Sequence, residues 1–140
     1  MTTIVDASIA IKWMAPEALR AEARALLDDV DQIEAPDLII PETTNIAWKK
    51  CRLGEMSHRQ AVNAILAIRR LIRVIHPSHT LCERALEMAF ALNHPAYDCF
   101  YLACAEAVGG VLVTADRRLC QVVRGTPFVN RVRSLEAMSE

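Results

Sequence analysis

Four acidic residues stand out by their neighbours: Asp6, Glu42, Asp98 and Asp116. Asp6 follows a β-prone run at residues 2–5 and Asp116 follows Val111-Leu112-Val113, so each is expected just beyond the carboxyl end of a buried strand, where open α/β sheets place ligand sites. Glu42 shares a helical face with Leu38, Ile39, Asn45 and Ile46, and Asp98 shares one with Tyr101, Leu102 and Ala105. Carboxylates beside apolar stripes are not ordinary surface charges. Singly, each has a structural explanation: Asp6 and Asp116 as helix caps, Glu42 as a boundary group paired with Asn45 or Lys49, Asp98 as a partner of the helix dipole. Together they pose an electrostatic problem. Two carboxylates about 5 Å apart repel by roughly 3 kcal/mol at an effective dielectric near 20, and a converged set of four contains six such pairs. A divalent cation resolves it, and an all-oxygen ligand set selects hard ions, Mg²⁺ or Mn²⁺. Such ions activate water and neutralise a phosphodiester as charge develops on it, so the expected reaction is phosphodiester hydrolysis. No histidine is expected beside these four positions.

The elements that would carry these residues follow from periodicity and breakers. Residues 2–5 read as a strand and 8–14 as a helix with Ser8 as its candidate cap; Pro16-Glu17 opens a second helix to about residue 29, and 33–35 form a short strand. Pro36-Asp37 starts a helix to about residue 53, with Pro41 tolerated in its first turn and Gly54 ending it. Ser57 starts another, striped by Ala61, Ile65, Ile68 and Ile72; Val74-Ile75 is a strand and 78–92 a helix. Residues 96–108 are helical, Gly109-Gly110 stops them, Val111-Leu112-Val113 is a buried strand, and a short helix at 117–123 precedes a last strand near Phe128-Val129. Alternating β and α elements imply a parallel sheet with helices on both faces.

The 140 residues, 53% of them apolar, suit one domain over 1–140, with no linker, repeat or low-complexity stretch. The amino terminus lacks the pattern of a signal peptide, so a cytoplasmic protein is expected. The apolar run at 99–115 contains Glu106 and a Gly pair, which makes it a helix, turn and strand and not a membrane span. Five cysteines without a C-x-x-C pair read as reduced, mostly buried thiols. A net charge of −1 argues against a broad basic surface. Local basic clusters occur at Lys49-Lys50-Cys51-Arg52, at Arg69, Arg70 and Arg73, and along Arg117, Arg118, Arg124, Arg131 and Arg133; the first either extends a nucleic-acid path or is simply solvated.

Four segments, in order, resemble the motifs of the PIN-domain nucleases, and within them the VapC-type toxins of toxin-antitoxin pairs. Ile4-Val5-Asp6-Ala7-Ser8-Ile9-Ala10-Ile11-Lys12-Trp13 is similar to the first, and Pro36-Asp37-Leu38 through Glu42 to Asn45 and Trp48 to the second. Tyr97-Asp98-Cys99-Phe100-Tyr101-Leu102-Ala103 is similar to the third, and Val113-Thr114-Ala115-Asp116-Arg117-Arg118-Leu119 to the fourth. The resemblance covers nearly the whole chain. It implies a three-layer α/β/α fold, divalent-metal endoribonuclease activity, a homodimer, and inhibition by an antitoxin that covers the acidic cleft. Ser8, Asn45 and Thr114 are candidates to support the metal ligands, and Lys12, Arg117 and Arg118 to contact RNA phosphate.

Other readings fit less of the chain. A phosphoacceptor enzyme of the dehalogenase type wants an Asp where Ser8 stands, and a receiver domain wants an acidic pair beside its first strand. The pair His76 and His79 spans Pro77, which breaks ligand spacing for zinc. A catalytically silent PIN domain would be expected to lose acidic residues, and all four are present. A DNA nuclease would use the same metal chemistry, but the short chain lacks insertions to clamp a duplex and favours single-stranded or looped RNA.

Overall fold

This computed structural model describes residues 1–139, with side chains at all of them except positions 30, 31 and 139. The strands are β1 (Thr3–Val5), β2 (Ile33–Pro36), β3 (Val74–His76), β4 (Val111–Thr114) and β5 (Val132–Ser134). The helices are α1 (Ala7–Met14), α2 (Arg20–Ala25), α3 (Ile39–Arg52), α4 (His58–Leu71), α5 (Cys82–Leu92), α6 (Ala96–Val108) and α7 (Arg117–Val122). The five strands form one all-parallel sheet in the order β3-β2-β1-β4-β5. The chain therefore builds outward from β1 to β3, then returns to add β4 on the other side. β1 and β4 flank the point where the order reverses, and their carboxyl ends lie level, with Val5 opposite Val113. That crevice is where a doubly wound sheet receives a ligand.

Two helical layers cover the sheet. α1 packs against β1 and β4 and also against α2, α3 and α4; α6 lies across β1, β2 and β4 with α5 outside it. Because α6 touches both sheet and helix, its middle is buried almost all round: Cys99, Tyr101, Leu102, Ala103, Cys104 and Ala105. The apolar stretch at 99–115 is thus α6, a Gly turn and β4, and among the described residues no helix is long and apolar enough to cross a membrane. Gly110 has a definite role at that turn, since a Cβ there would stand 2.3 Å from the Thr2 carbonyl oxygen. The cysteines are all free, but only Cys99 and Cys104 are buried; Cys82 is exposed and Cys51 and Cys120 are intermediate.

Three sequence expectations change. The helix expected at 16–29 is α2 alone, entered through Leu19 in the left-handed region and followed by 3₁₀ turns over Leu26–Gln32. Asp28 and Asp29 would set negative charge against the carboxyl end of a continued helix. The helix expected from Ser78 begins only at Cys82, because Ser78–Thr80 is a 3₁₀ turn tied to Asp37 and Leu38 through Ser78. The last strand lies at Val132–Ser134, not near Phe128-Val129, where Thr126 accepts a bond from the Phe128 amide and a 3₁₀ turn follows at Val129–Arg131. An edge strand carrying exposed Arg133 has little apolar signal to read.

Candidate metal centre

Asp6 is the first residue past β1, and its extended backbone makes it the cap of α1 in place of Ser8. Its Oδ1 accepts from the Ile9 amide at 3.2 Å and from the Ser8 hydroxyl at 2.5 Å, while the fully buried Thr114 hydroxyl donates to Oδ2. Ser8 and Thr114 in turn accept the Ala115 and Asp116 amides at 3.1 and 3.0 Å, so these two hydroxyls lace the end of β1 to the end of β4. Both were expected to support the site, and both are bonded to Asp6. Asp116 caps α7, its Oδ1 accepting the Arg118 and Leu119 amides.

The other two carboxylates come from helices. Glu42 projects from the first turn of α3, just after Pro41, and its Oε1 accepts the Tyr101 hydroxyl at 2.5 Å. Asp98 lies in the first turn of α6 and its Oδ2 meets His94 Nε2 at 2.6 Å. Asp98 is the meeting point: its charge raises the pKa of both Asp6 and Glu42, and contact with Asp116 raises its own. Burial is nonetheless the largest cause in all three and lifts the Asp6 carboxyl to about 6; bonds from Ser8, Thr114, Tyr101 and His94 oppose it. Burial, then Glu42, holds Tyr101 firmly in its hydroxyl form, a donor.

The donors to these carboxylates are hydroxyls, amides and one imidazole. Among the described residues, none of the four is ion-paired to a lysine or arginine. Such a set orients acceptor oxygens without cancelling their charge, which is what an incoming hard cation requires. The chemistry of the donor set therefore fits a divalent ion.

Among known proteins, the PIN domain matches residues 3–125. Ribonuclease VapC9 of Mycobacterium tuberculosis is 31% identical over 116 residues, spanning 83% of this chain and 87% of its own. The chain belongs to the PIN-domain family, in its VapC group. Ribonuclease VapC3 of Pyrobaculum aerophilum is 28% identical over 123 residues, covering 86% of this chain and 94% of its own. The crystal structure of PAE2754 from the same organism superimposes with a TM-score of 0.72 at 24% identity over 99% of this chain and 93% of that one, which shows the common fold.

One expectation about this PIN domain is corrected. A histidine does stand beside the acidic set: His94, whose side chain is 2% exposed, with one potential ligand atom each of His94, Asp98 and Asp116 within 4.8 Å of one another. The signal was its position four residues before Asp98, across the Pro95 that starts α6. Its Nδ1 is buried and has no hydrogen-bond partner among the described residues, and the tautomer donating from Nε2 to Asp98 leaves a bare acceptor there and no orphaned N–H. Tyr101 was read only as part of an apolar face, and its bond to Glu42 depends on α3 and α6 meeting 59 residues apart.

The remaining candidates scatter. Lys12 is buried, 3.3 Å from Glu17, and Glu17 also holds Lys50 at 2.6 Å. Arg117 makes a two-pronged pair with Glu136 at 2.9 Å, and Arg118 is exposed. Asn45 is exposed in a groove of about 420 Å³ that also takes in Glu42, Lys49 and Tyr97.

Proposed function

We propose that this protein is a divalent-metal-dependent endoribonuclease, the toxin of a toxin-antitoxin pair, with Asp6, Glu42, Asp98 and Asp116 holding Mg²⁺ or Mn²⁺. The observation that carries the reading is that Asp98 stands between Asp6, Glu42 and Asp116 at the β1/β4 crevice while, among the described residues, no lysine or arginine pairs with any of the four. The names of the VapC relatives support RNA as the substrate. When bound, the ion supplies an activated water and charge neutralisation at the phosphodiester. The chain's own groups do the rest. Ser8 and Thr114 fix both oxygens of Asp6; Tyr101 and His94 each fix one oxygen of Glu42 and Asp98 and leave the other to coordinate. The protein is proposed to act in the cytoplasm, with an antitoxin that covers this crevice and a second copy of the chain as its protein partners.

The test is cleavage of a structured RNA by purified protein with Mg²⁺ or Mn²⁺ and with EDTA, comparing the natural chain with Asp6→Ala and Asp98→Ala. The expected result is metal-dependent cutting that falls more than about 100-fold in each variant, beyond the 10–100-fold typical of groups that only orient ligands. No cutting on a broad RNA panel, with no Mn²⁺ bound by calorimetry, would make the chain a silent PIN domain.

A further inference from the structure

Sequence alone left Lys49, Lys50 and Arg52 between a nucleic-acid path and an ordinary solvated face. The structure separates them. Lys50 Nζ sits 2.6 Å from Glu17 with its side chain 14% exposed, so its charge is committed inside the protein. Lys49 and Arg52 are exposed, and neither forms an ion pair among the described residues. One residue along a helix turns the side chain by about 100°, which is why neighbours in sequence have opposite fates.

Glu42, Asn45, Lys49 and Arg52 recur at three- and four-residue spacing and so lie along one side of α3, starting at a proposed metal ligand. Two large aromatics flank that line. Tyr97, 65% exposed, borders the groove with Glu42, Asn45 and Lys49, and it immediately precedes Asp98. Trp48, 53% exposed, carries the Arg52 guanidinium 5.3 Å from its ring centroid. The protein's other tryptophan, Trp13, is 1% exposed and bonded to the Ala23 carbonyl, so exposure of Trp48 is not a habit of the chain.

Exposed rings interleaved with cations that form no ion pair among the described residues, and with an amide, are the parts with which proteins hold single strands: bases stack on aromatic faces or on guanidinium planes, and cations track phosphate. A duplex hides its base faces and cannot use them. We propose that α3 is a single-stranded RNA track, leading away from the acidic centre past Tyr97 and Lys49 to the Trp48–Arg52 pair. From Glu42 to Arg52 it runs about 15 Å at 1.5 Å per residue. It gives a chain of net charge −1 a local RNA-binding line without a broad basic surface. The proposal rests on the nuclease reading for its substrate.

The experiment uses a labelled mixed-sequence oligoribonucleotide, single-stranded or annealed to its complement, with the full chain in EDTA. Binding is followed by anisotropy and by tryptophan emission. Single-strand affinity falls about tenfold in Tyr97→Ala and in Trp48→Ala, and Lys49→Ala lowers the salt slope by about 0.7. Lys50→Met leaves both unchanged, and the duplex binds less well throughout. RNA quenches emission in the natural chain but not in Trp48→Phe, whose remaining tryptophan is buried. Calorimetry with Mn²⁺ alone is unaffected by Trp48→Ala. Unchanged single-strand affinity in the Tyr97, Trp48 and Lys49 variants overturns the track and leaves this face to a protein partner. A chain that binds RNA in this pattern yet never cuts it with Mn²⁺ overturns the nuclease reading and keeps the track.

Discussion

The two ends of α1 handle charge in opposite ways. At its carboxyl end, Lys12 meets Glu17, which also holds Lys50, and Lys50 reaches Glu55 at 3.9 Å; the two lysines pull the Glu17 carboxyl below its usual range against the effect of burial. At its amino end, burial pushes Asp6 up to about 6, and Asp98 adds to the rise. The first region is electrically complete. The second holds carboxylates that, among the described residues, have no lysine or arginine partner, the arrangement that a cation from outside would complete. A cluster arranged this way is a cost to the fold that stability alone would not retain, which is the physical mark of a functional site.

The largest effect that would test this contrast is on stability against pH. Folded Asp6 keeps its proton to about pH 6, whereas the unfolded chain loses it near 3.8. Between those values the folded state binds more protons, so stability falls as pH rises, by up to about 3 kcal/mol at 1.36 kcal/mol per unit. Glu17 has the opposite sign: its contribution is present above the ordinary value of 4.5 and fades as pH falls through its lowered folded value. In EDTA, Asp6→Asn is therefore expected to raise the urea midpoint at pH 7 and to flatten its decline between about pH 4 and 6. Mg²⁺ at a hundred times its dissociation constant should return about 2.7 kcal/mol to the natural chain and little to the variant. Equal slopes for the two proteins would mean that Asp6 is not strained.

Much of this was legible beforehand, and what was not has definite causes. Asp6 and Asp116 follow strongly apolar strands, so their place at the sheet's carboxyl edge could be read locally, and the bounds of α6 were set by Pro95 and Gly109. Capping of α4 by Ser57 with Gln60 was likewise a local signal. The 3₁₀ turn at Ser78–Thr80 and β5 were not legible, because they are decided by tertiary bonds, such as that of the Leu38 amide to Ser78, and by pairing with β4. The same holds within the site. Thr114 sits two residues from Asp116 and was found, while the Tyr101 bond to Glu42 spans two helices and was missed. His94 is the exception: its spacing to Asp98 was readable in sequence and was passed over.

The side chains that hold the carboxylates give the next effect in size. His94→Phe keeps the volume of the ring and removes the bond to Asp98, and Tyr101→Phe removes only the hydroxyl that holds Glu42. Each is expected to weaken Mn²⁺ binding 10–100-fold by calorimetry, the usual range for groups that orient ligands, with circular dichroism unchanged. A nitrogen of His94 lies close enough to the Asp98 and Asp116 carboxylate oxygens for direct ligation to be tested as well. Nitrogen coupling from a bound imidazole in the Mn²⁺ electron spin resonance spectrum would make it a ligand; its absence, with affinity still lowered, makes it a positioning residue. Full affinity in both variants would show that the carboxylates are held well enough without them.

The smallest effect belongs to the balanced end of α1. Glu17→Gln leaves Lys12 and Lys50, with side chains 11% and 14% exposed, facing one neutral amide. Exposed pairs contribute about 0.2–1 kcal/mol, and loss of a partner to two largely covered cations belongs at the upper end of that range. Stability should therefore drop by about 1 kcal/mol in urea unfolding at pH 7. The difference from the natural chain should start to shrink as pH falls below the ordinary value of 4.5 and vanish only once pH has passed through the lowered folded value of Glu17. Cleavage rate and Mn²⁺ affinity should stay at their natural values, because neither lysine is bonded to the acidic set. If Glu17→Gln changed metal affinity as His94→Phe is expected to, the two ends of α1 would be one electrostatic unit, and the completeness of the first could not be set against the openness of the second.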